Sequence, residues 1–531
     1  MQGFYPTSVF LDSTCFSPPP FPSPLYHDPR IMSAHLPGHR PLHPSSPNQH
    51  VEPPLTRPSH QERLLQASAA PNYIHNLFIP THPSAFNPTQ MLPRETTEMK
   101  RTALAPFHAH AAGVVSRMYS SQFPGYQLPG NQVNALLRKE LGNRVIDTTT
   151  DFIYQIFPGA RKPIAIDNNF YKTLSQTRFD IYDNPCLPLW DQQNRTLTKP
   201  ESYSESHLAD WLNLLSKVMG TAGGTTSTRI WSHRSKDTPL VGSNIKRKPD
   251  LILIDKSYDA RLKSNYDLDT DWCFIKAIGE VSAEKRTPTR MIDSINTKSY
   301  LVFQCQANRR FVVGLSFTGD GKFTLTLTDR EGQLRWNEMP LFENKKHVDV
   351  FLYVFSFLMF GTESDIGLDP NFEFDKSGKL LAVNVDEKRF VVEKMVYELS
   401  CIIGRATRVW VVKHDNKKYV LKDSWIQEHH LDSEVAILQK MTEGMKDQEK
   451  NVEQSIKNSI PQYVCGGEVE VDGILDCTGR YRKDLRGWPE SQRIHRRIVS
   501  SPIGEPIVAF RSKKEFIQAI ISVLEGALFC S

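Results

Sequence analysis

Apolar residues recur at helical spacing from about residue 130 onward. The segments 133–141 and 208–218 place them three and four positions apart, which predicts two amphipathic helices, the second ending at Gly220. Residues 291–302 predict a third helix. The strongly apolar segment 348–360 predicts a buried helix, because a bilayer span needs roughly 20 residues.

Short apolar runs between these helices predict strands. The runs are residues 251–254, 274–278, 311–317 and 323–327. The last two flank Gly319, Asp320 and Gly321, a sequence typical of a β-hairpin turn. The order helix, strand, strand, helix, strand, strand predicts a mixed α/β layer with the 348–360 helix packed on it. The polar stretch 370–378 predicts a linker.

The segment that follows carries a lysine inside a hydrophobic strand. Residues 402–410 predict a tight strand-turn-strand, and residues 419–422 predict a further strand that ends in Lys422. This strand resembles the Val-Ala-Ile-Lys strand of protein kinases. Glu434 lies on the amphipathic helix that comes next. Because a partly desolvated lysine needs a carboxylate partner, we expect Lys422 and Glu434 to form an ion pair.

The turn before this strand resembles a reduced form of a phosphate-covering loop. Such loops use glycines so that the backbone can approach the anion, and the strand lysine supplies a fixed positive charge. Gly404 is present, but Ala406 and Val409 occupy the second and third glycine positions.

The chain continues with two more predicted strands and a helix. Residues 462–471 predict a fourth strand, and residues 496–507 a fifth that includes a hinge at 502–504. Ser512 and Glu515 predict a capping box for the helix. Its apolar stripe needs a surface to pack against and consists of Phe516, Ile517, Ile520, Ile521, Leu524 and Leu528.

A basic segment, residues 480–497, separates the fourth and fifth strands. Its basic residues are Arg480, Arg482, Lys483, Arg486, Arg493, Arg496 and Arg497. We expect a solvated loop, and the alternative is a site for an acidic or phosphorylated partner.

Composition sets the N-terminal region apart. Residues 1–125 contain more than half of the 36 prolines and no sustained apolar period, which predicts a disordered or polyproline-like tail. His35, His39 and His43 have helical spacing, but the prolines between them are incompatible with the helix that a metal site there would need.

Charge and cysteine usage narrow the class of protein. The net charge of +5, from 64 basic and 59 acidic residues, indicates neither a nucleic-acid nor a membrane surface. The eight cysteines lack Cys-x-x-Cys spacing, which is typical of reduced thiols. No secretory signal is predicted at the N-terminus. We expect an intracellular protein, in the cytoplasm or nucleus, with no membrane partner and with a nucleic-acid partner disfavoured.

Together these residues resemble the fungal-type protein kinase domain family. The similar segments are residues 248–251 (KPDL), 279–281 (GEV), 309–314 (RRFVVG), 329–332 (DREG), 403–410 (IGRATRVW), 421–425 (LKDSW) and 495–499 (HRRIV). The resemblance covers roughly residues 130–525. It implies ATP-dependent Ser/Thr phosphorylation, ATP and Mg²⁺ as cofactors, and a degenerate ATP site at Gly404, Ala406, Lys422 and Glu434.

The sequence departs from that family in two respects. It contains no His-Arg-Asp catalytic loop and no Asp-Phe-Gly magnesium loop up to Ser531, and Ala406 stands where the family usually has glycine. We therefore expect a catalytically inactive, pseudokinase-like chain, unless the reading frame continues beyond Ser531 into a catalytic lobe. The main alternative is a non-enzymatic interaction or scaffold module with an unknown protein partner.

A third hypothesis, a degenerate nuclease-like nucleic-acid binder, comes from the region before the kinase-like part. Pro249 and Asp250 at a strand start, with Glu280 on the next strand, resemble the acidic pair that holds Mg²⁺ in metal-dependent nucleases. Ser282 stands where such sites have lysine, and Lys285 is expected off that face of the strand.

The predicted fold class is α+β. We expect a disordered tail at 1–125, a mixed α/β domain at 126–369, a linker at 370–390, and an incomplete protein kinase-like domain at 391–531. The last part would comprise the small lobe, the hinge and the first helix of the large lobe.

Overall fold

The computed structural model describes residues 130–178, 188–200, 202–282, 288–428, 434–447, 460–482, 485, 492–505 and 509–530. These residues belong to one of the two structural units of the chain. The predicted tail at 1–125 and its histidines His35, His39 and His43 lie outside the described residues.

The described residues form helices and strands in a mixed order, in agreement with the predicted α+β class. The helices are α1 (Gly130–Leu141), α2 (Ile153–Ile156), α3 (Asn168–Gln176), α4 (Glu205–Gly223), α5 (Lys256–Ser264), α6 (Pro288–Cys305), α7 (Lys345–Phe360), α8 (Glu434–Asp447) and α9 (Lys513–Cys530). The first ten strands are β1 (Val145–Thr148), β2 (Trp190–Asp191), β3 (Thr196–Leu197), β4 (Arg229–Ser232), β5 (Leu251–Asp255), β6 (Ala277–Ser282), β7 (Phe311–Thr318), β8 (Lys322–Asp329), β9 (Gly332–Trp336) and β10 (Met339–Pro340). The remaining strands are β11 (Phe372–Phe374), β12 (Leu380–Val385), β13 (Lys388–Glu398), β14 (Arg408–His414), β15 (Lys417–Gln427), β16 (Gln462–Glu468), β17 (Glu470–Val471), β18 (Ile474–Leu475) and β19 (Arg493–Ser501).

The first sheet has the strand order β1-β9-β8-β7-β6-β5-β4, with β10 paired to β8. Leu251 and Leu253 of β5 pack in the same apolar cluster as residues of α4 and α7, whereas Ile252 and Ile254 pack with residues of α1 and α6. Because successive side chains of a strand point to opposite faces, an unbroken apolar run requires both faces to be covered. The prediction of a mixed α/β layer that carries the 348–360 helix is confirmed.

Local hydrogen bonds set where two of these elements begin. The side chain of Asp271 accepts from the backbone N–H of Cys273 at 2.8 Å and starts a short 3₁₀ turn. The run at 274–278 is therefore not one strand, and β6 begins at Ala277. Asn344 caps α7, and 11 of the 16 residues of this helix are buried. None of the helices in the described ranges has the length and apolarity needed to cross a membrane.

The second sheet has the strand order β11-β12-β13-β14-β15-β19-β16, with every pair antiparallel. The segment 370–390, predicted as a linker, contributes β11 and β12 to it. The prediction missed these strands because the stretch 370–378 is mostly polar. Asp375 organises the turn between them by accepting from the backbone N–H groups of Ser377 and Lys379, and Phe372 and Val383 are buried.

The prediction of a tight strand-turn-strand at 402–410 is wrong. Strand β13 ends at Glu398 and β14 begins at Arg408, and residues 399–407 form a connection that we call the β13–β14 loop. Its apolar residues Ile402 and Ile403 do not alternate across the second sheet, because they pack into the apolar cluster of α1 and α6.

The later elements agree with the sequence. Strand β15 contains Lys422, and β16 and β19 supply the expected fourth and fifth strands, although β19 begins at Arg493 and ends at Ser501. Helix α9 begins after Ser512, whose Oγ accepts from the backbone N–H of Glu515 at 3.2 Å, as a capping box predicts. The Glu515 carboxylate accepts from the backbone N–H of Arg511 instead of Ser512.

Candidate functional site

Lys422 and Glu434 meet on one face of the second sheet. Lys422 lies in the middle of β15, paired with Val409 of β14 and Ile498 of β19. Glu434 is the first residue of α8, and its Oε1 lies 2.5 Å from the Lys422 Nζ. The two side chains are 27% and 23% exposed. The predicted ion pair is confirmed.

Gly404 and Ala406 lie in the β13–β14 loop, which precedes the lysine strand. Gly404 has a φ of 130° and Ala406 a φ of 42°, both in the region that favours glycine. Ala406 is buried and packs with Cys401 and Trp425. The alanine therefore adopts a backbone conformation that suits glycine better.

Three backbone N–H groups of the β13–β14 loop donate to residues that precede the second sheet in the chain. The N–H groups of Ile402 and Ile403 donate to Oε1 of Glu140 at 2.7 and 3.0 Å. The N–H of Gly404 donates to the carbonyl of Arg330 at 3.1 Å. The Arg330 guanidinium in turn donates to the carbonyl of Cys401 at 2.5 Å. The sequence did not indicate Glu140 and Arg330 as partners of this loop. The available signal was the adjacent pair Ile402 and Ile403, because two isoleucines in a row are typical of a buried segment and not of an exposed turn.

The opposite face of β15 carries a buried charge network. Asp423 accepts from Arg497 Nε at 2.9 Å and lies 3.0 Å from His495 Nε2. The other ring nitrogen of His495 lies 2.9 Å from Asp476, which also accepts from Arg310 Nε at 2.9 Å. The side chains of Lys422 and its neighbour Asp423 thus lie on opposite faces of the same sheet.

The network shifts the pKa values of His495 and Asp423. Burial alone would lower the pKa of His495, but Asp423 and Asp476 outweigh burial and raise that pKa to about 9. Burial would raise the pKa of Asp423, but His495 and Arg497 hold that pKa below its usual range. The histidine is consequently held as a cation at neutral pH, stacked on Trp425 with ring centroids 4.6 Å apart.

The prediction of a solvated basic loop is wrong for four of its arginines. Arg482, Arg493, Arg496 and Arg497 are buried. Their carboxylate partners lie within the chain and are Asp329 for Arg482, Glu331 for Arg493, Glu468 for Arg496, and Asp369 and Asp423 for Arg497. Lys483 and Arg486 lie outside the described residues. Binding of an external acidic or phosphorylated partner at this segment stays a prediction.

The acidic pair of the nuclease hypothesis is engaged with other protein groups. Glu280 is buried, accepts from Ser294 Oγ at 2.6 Å and forms an ion pair with Lys298 of α6. Burial raises the pKa of Glu280, against the effect of Lys298. Asp250 accepts from the backbone N–H of Val281 at 2.8 Å.

The other residues of that hypothesis add no metal ligand. Ser282 is buried, and Lys285 falls outside the described residues. Within the ranges that the structure describes, no group of three or more His, Cys, Asp or Glu side chains is placed to hold a metal ion. Sequence reasoning missed Lys298, which lies 18 residues from Glu280 along the chain.

Comparison with known proteins assigns the chain to a family. No curated protein and no solved structure matches it. A family model described as fungal protein kinase matches residues 248–528, which is more than half of the 531 residues. The match runs from the β5 strand of the first sheet to helix α9 and includes the β13–β14 loop, Lys422 and Glu434. The chain therefore belongs to the fungal protein kinase family.

Proposed function

We propose that residues 391–531 contain the small lobe of a protein kinase fold with a degenerate nucleotide site, and that these 531 residues do not transfer phosphate by themselves. The observation that carries the lobe assignment is the 2.5 Å contact between Lys422 and Glu434. In protein kinases a lysine of the third strand pairs with a glutamate of the following helix, and the pair positions the nucleotide phosphates.

The order of the strands supports the assignment. Strands β13, β14 and β15 are consecutive neighbours, helix α8 follows the lysine strand, and β19 lies between β15 and β16. Five of the seven strands of the second sheet, β13, β14, β15, β19 and β16, thus form an antiparallel unit with one helix inserted after its third strand in chain order, and this unit carries both members of the lysine-glutamate pair.

The site fits ATP only in part. The Lys422 Nζ offers the charge that the α- and β-phosphates need. The amides of Ile402, Ile403 and Gly404, however, donate to protein acceptors and are not available to a phosphate in this position of the loop. We therefore propose that Gly404, Ala406, Lys422 and Glu434 form a site that binds ATP weakly or not at all.

Phosphate transfer needs further groups. General base catalysis alone contributes roughly 100- to 10,000-fold, and metal ions carried by the Asp-Phe-Gly loop neutralise the transferred phosphoryl group. Residues 1–531 contain neither the His-Arg-Asp loop, which would supply the general base, nor the Asp-Phe-Gly loop. The cysteines of the described residues are free thiols, which is typical of reducing compartments, and we also propose an intracellular location, in the cytoplasm or nucleus.

The deciding assay incubates the purified chain with radiolabelled ATP, Mg²⁺ and a generic protein substrate. We expect no label above that of Lys422→Met, with an established active kinase as the positive control in the same buffer. Label that enters the chain or the substrate and is lost in Lys422→Met would overturn the proposal in favour of an active kinase. A fluorescent ATP analogue titrated against both proteins measures binding separately from turnover.

A second candidate function is a non-enzymatic interaction module. The observation in its favour is the apolar stripe of α9, where the side chains of Ile517 and Leu524 are 55% and 58% exposed. This role predicts that association through α9, measured by sedimentation, is the same in Lys422→Met as in the unmutated chain. Loss of association in Lys422→Met would tie the surface to the nucleotide site instead.

The nuclease-like role has a direct test of its own. Asp250 directly precedes β5 and Glu280 lies on the neighbouring strand β6, but the Glu280 carboxylate is already paired with Lys298. Cleavage of plasmid DNA that appears on addition of Mg²⁺ and disappears in Glu280→Gln would establish it.

A further inference from the structure

The side chains next to Lys422 determine from which direction a ligand can reach its ammonium group. Lys422 pairs directly with Val409 of β14 and with Ile498 of β19. Directly paired residues of antiparallel strands place their side chains on the same face of the sheet, with Cβ atoms about 4.5–5.5 Å apart. Both cross-strand neighbours of the lysine on this face are therefore branched apolar side chains.

The pair that follows along the strands supports this assignment of faces. Trp410 and Leu421 are the next partners of β14 and β15, and both pack in the same apolar cluster. Because successive side chains of a strand alternate between its two faces, Val409 and Lys422 lie on the face opposite that cluster.

Helix α8 closes one side of Lys422. The Glu434 Oε1 lies 2.5 Å from the lysine Nζ. Further along the helix, the hydroxyl of Thr442 accepts from the backbone N–H of Tyr463 in β16 at 2.7 Å. Since β16 pairs with β19, the helix lies over the β19 side of the lysine, where Ile498 is buried.

The other side of Lys422 faces β14 and β13. One row of paired residues crosses these strands, from Tyr397 of β13 to Val409 and on to Lys422. Tyr397 is 50% exposed and Val409 is partly exposed, so solvent reaches this part of the face. A ligand that approaches the ammonium group from this side must pass over Val409.

On the basis of the nucleotide site proposed above, we propose that the isopropyl group of Val409 keeps phosphate groups away from the Lys422 ammonium. Val409 occupies the third glycine position of the phosphate-covering loop, and glycine permits the backbone to approach a ligand closely. Valine instead places two methyl groups beside the lysine. They would remove water from a phosphate without replacing its hydrogen bonds, which is unfavourable. The side chain at position 409 therefore determines whether a polyphosphate binds at Lys422.

The experiment compares the unmutated 531-residue chain with Val409→Gly, Val409→Ala and Val411→Ala. Each protein is titrated with tripolyphosphate by calorimetry and with a fluorescent ATP analogue, which measures phosphate binding without and with a base. Val411→Ala is the control, because Val411 lies on the same strand and face but pairs with Val420. Circular dichroism checks that each variant is folded, and Val409→Ala serves if glycine weakens the strand.

We expect Val409→Gly to bind both probes roughly 10- to 100-fold more tightly than the unmutated chain, because a hydrogen bond to a charged group contributes a factor of this size. Val409→Ala should give a smaller gain. Val411→Ala should give none, because it removes methyl groups beside Val420 and not beside Lys422. Adding Lys422→Met to Val409→Gly should abolish the gain.

Three results overturn the inference. If folded Val409 variants bind neither probe more tightly than the unmutated chain, Val409 does not block the site, and the weak nucleotide site stands as proposed. If Val411→Ala gains as much as Val409→Ala, or if the gain persists with Lys422→Met, the effect does not come from space beside Lys422. If the unmutated chain already binds both probes tightly through Lys422, the inference and the weakness of the proposed site both fail.

Discussion

Arg482 and Asp329 form an ion pair in which both side chains are completely buried, with Nη2 of the arginine donating to Oδ1 at 2.7 Å. Asp329 is the last residue of β8 in the first sheet, whereas Arg482 directly follows the short 3₁₀ turn Thr478–Tyr481 that precedes β19 of the second sheet. The pair of Arg493, at the start of β19, with Glu331, between β8 and β9, connects the same two sheets. Complementary buried charges therefore link the two sheets.

Removing one member of this pair should strongly destabilise the fold. We expect Arg482→Met to lower the free energy of unfolding by roughly 3–5 kcal/mol, because Asp329 is left as an uncompensated buried charge. Adding Asp329→Asn should recover part of the loss. The asparagine Oδ1 can still accept from the backbone N–H groups of Glu331 and Gly332, as the aspartate does at 2.9 and 3.2 Å. Urea unfolding of the single and double variants measures the coupling, and equal stability of the two variants would contradict it.

His495 should make stability depend on pH. Its pKa is raised to about 9 in the folded chain, above the unfolded value of about 6.5, so the folded state binds the extra proton. The stabilisation is complete below about pH 6.5 and is lost as pH rises through about 9. We expect the free energy of unfolding to fall by an amount on the order of 3 kcal/mol across that range.

The matched variant isolates the histidine. In His495→Gln the decline between about pH 6.5 and about pH 9 should largely disappear, because the side chain no longer titrates. His414→Gln is the control, since His414 lies on β14 and its side chain is 27% exposed. Urea denaturation followed by circular dichroism at closely spaced pH values gives the slopes. The same decline in His495→Gln and in the unmutated chain would show that other groups cause it.

The parts of this structure that the sequence could predict are those set by local pattern. Lys422 in an apolar strand and Glu434 on the following amphipathic helix are 12 residues apart, and their pairing is expected because a partly desolvated lysine needs a carboxylate partner and because the strand resembles that of protein kinases. The apolar runs at β5 and β7 likewise determine a sheet covered on both faces. Such features can be predicted from a short stretch of sequence without knowing how the rest of the chain folds.

Contacts between distant segments could not be predicted in this way. The basic segment looked solvated because the partner of Arg482 is 153 residues away, and a charge run gives no indication of its partners. The β13–β14 loop looked like a tight turn because Glu140 is more than 260 residues away. The adjacent residues Ile402 and Ile403 were the local sign against this prediction, because an exposed turn rarely carries two isoleucines in a row.

Lys422→Met should alter stability modestly. The pair of Lys422 and Glu434 is partly exposed, and pairs of this kind contribute about 0.2–1 kcal/mol. We expect a decrease in the free energy of unfolding within that range, with no phosphotransfer activity to lose. Glu434→Gln should have a similar effect, and the double variant should be no less stable than either single one. A double-mutant cycle by thermal unfolding checks this, and additive losses would contradict direct coupling.

Helix α9 presents apolar side chains that the described structure leaves uncovered. Ile517, Ile520, Ile521 and Leu524 are 55%, 38%, 39% and 58% exposed. This outcome agrees with the expectation that the stripe needs a further surface to pack against. Leu528, the last residue of the predicted stripe, has no described side chain.

Exposed apolar side chains spaced three and four residues apart favour association between copies of the chain. We therefore expect the unmutated chain to self-associate or to be poorly soluble, and Ile520→Glu combined with Leu524→Glu to relieve this, because burying a glutamate in an interface costs more than the interface gains. Gln518→Glu is the control, since Gln518 is exposed on the same helix but outside the stripe. Sedimentation velocity over a range of concentrations gives the oligomeric state of each protein. Two results would show that the stripe does not drive association. One is that the unmutated chain stays monomeric at all concentrations, and the other is that Gln518→Glu dissociates as fully as the double variant.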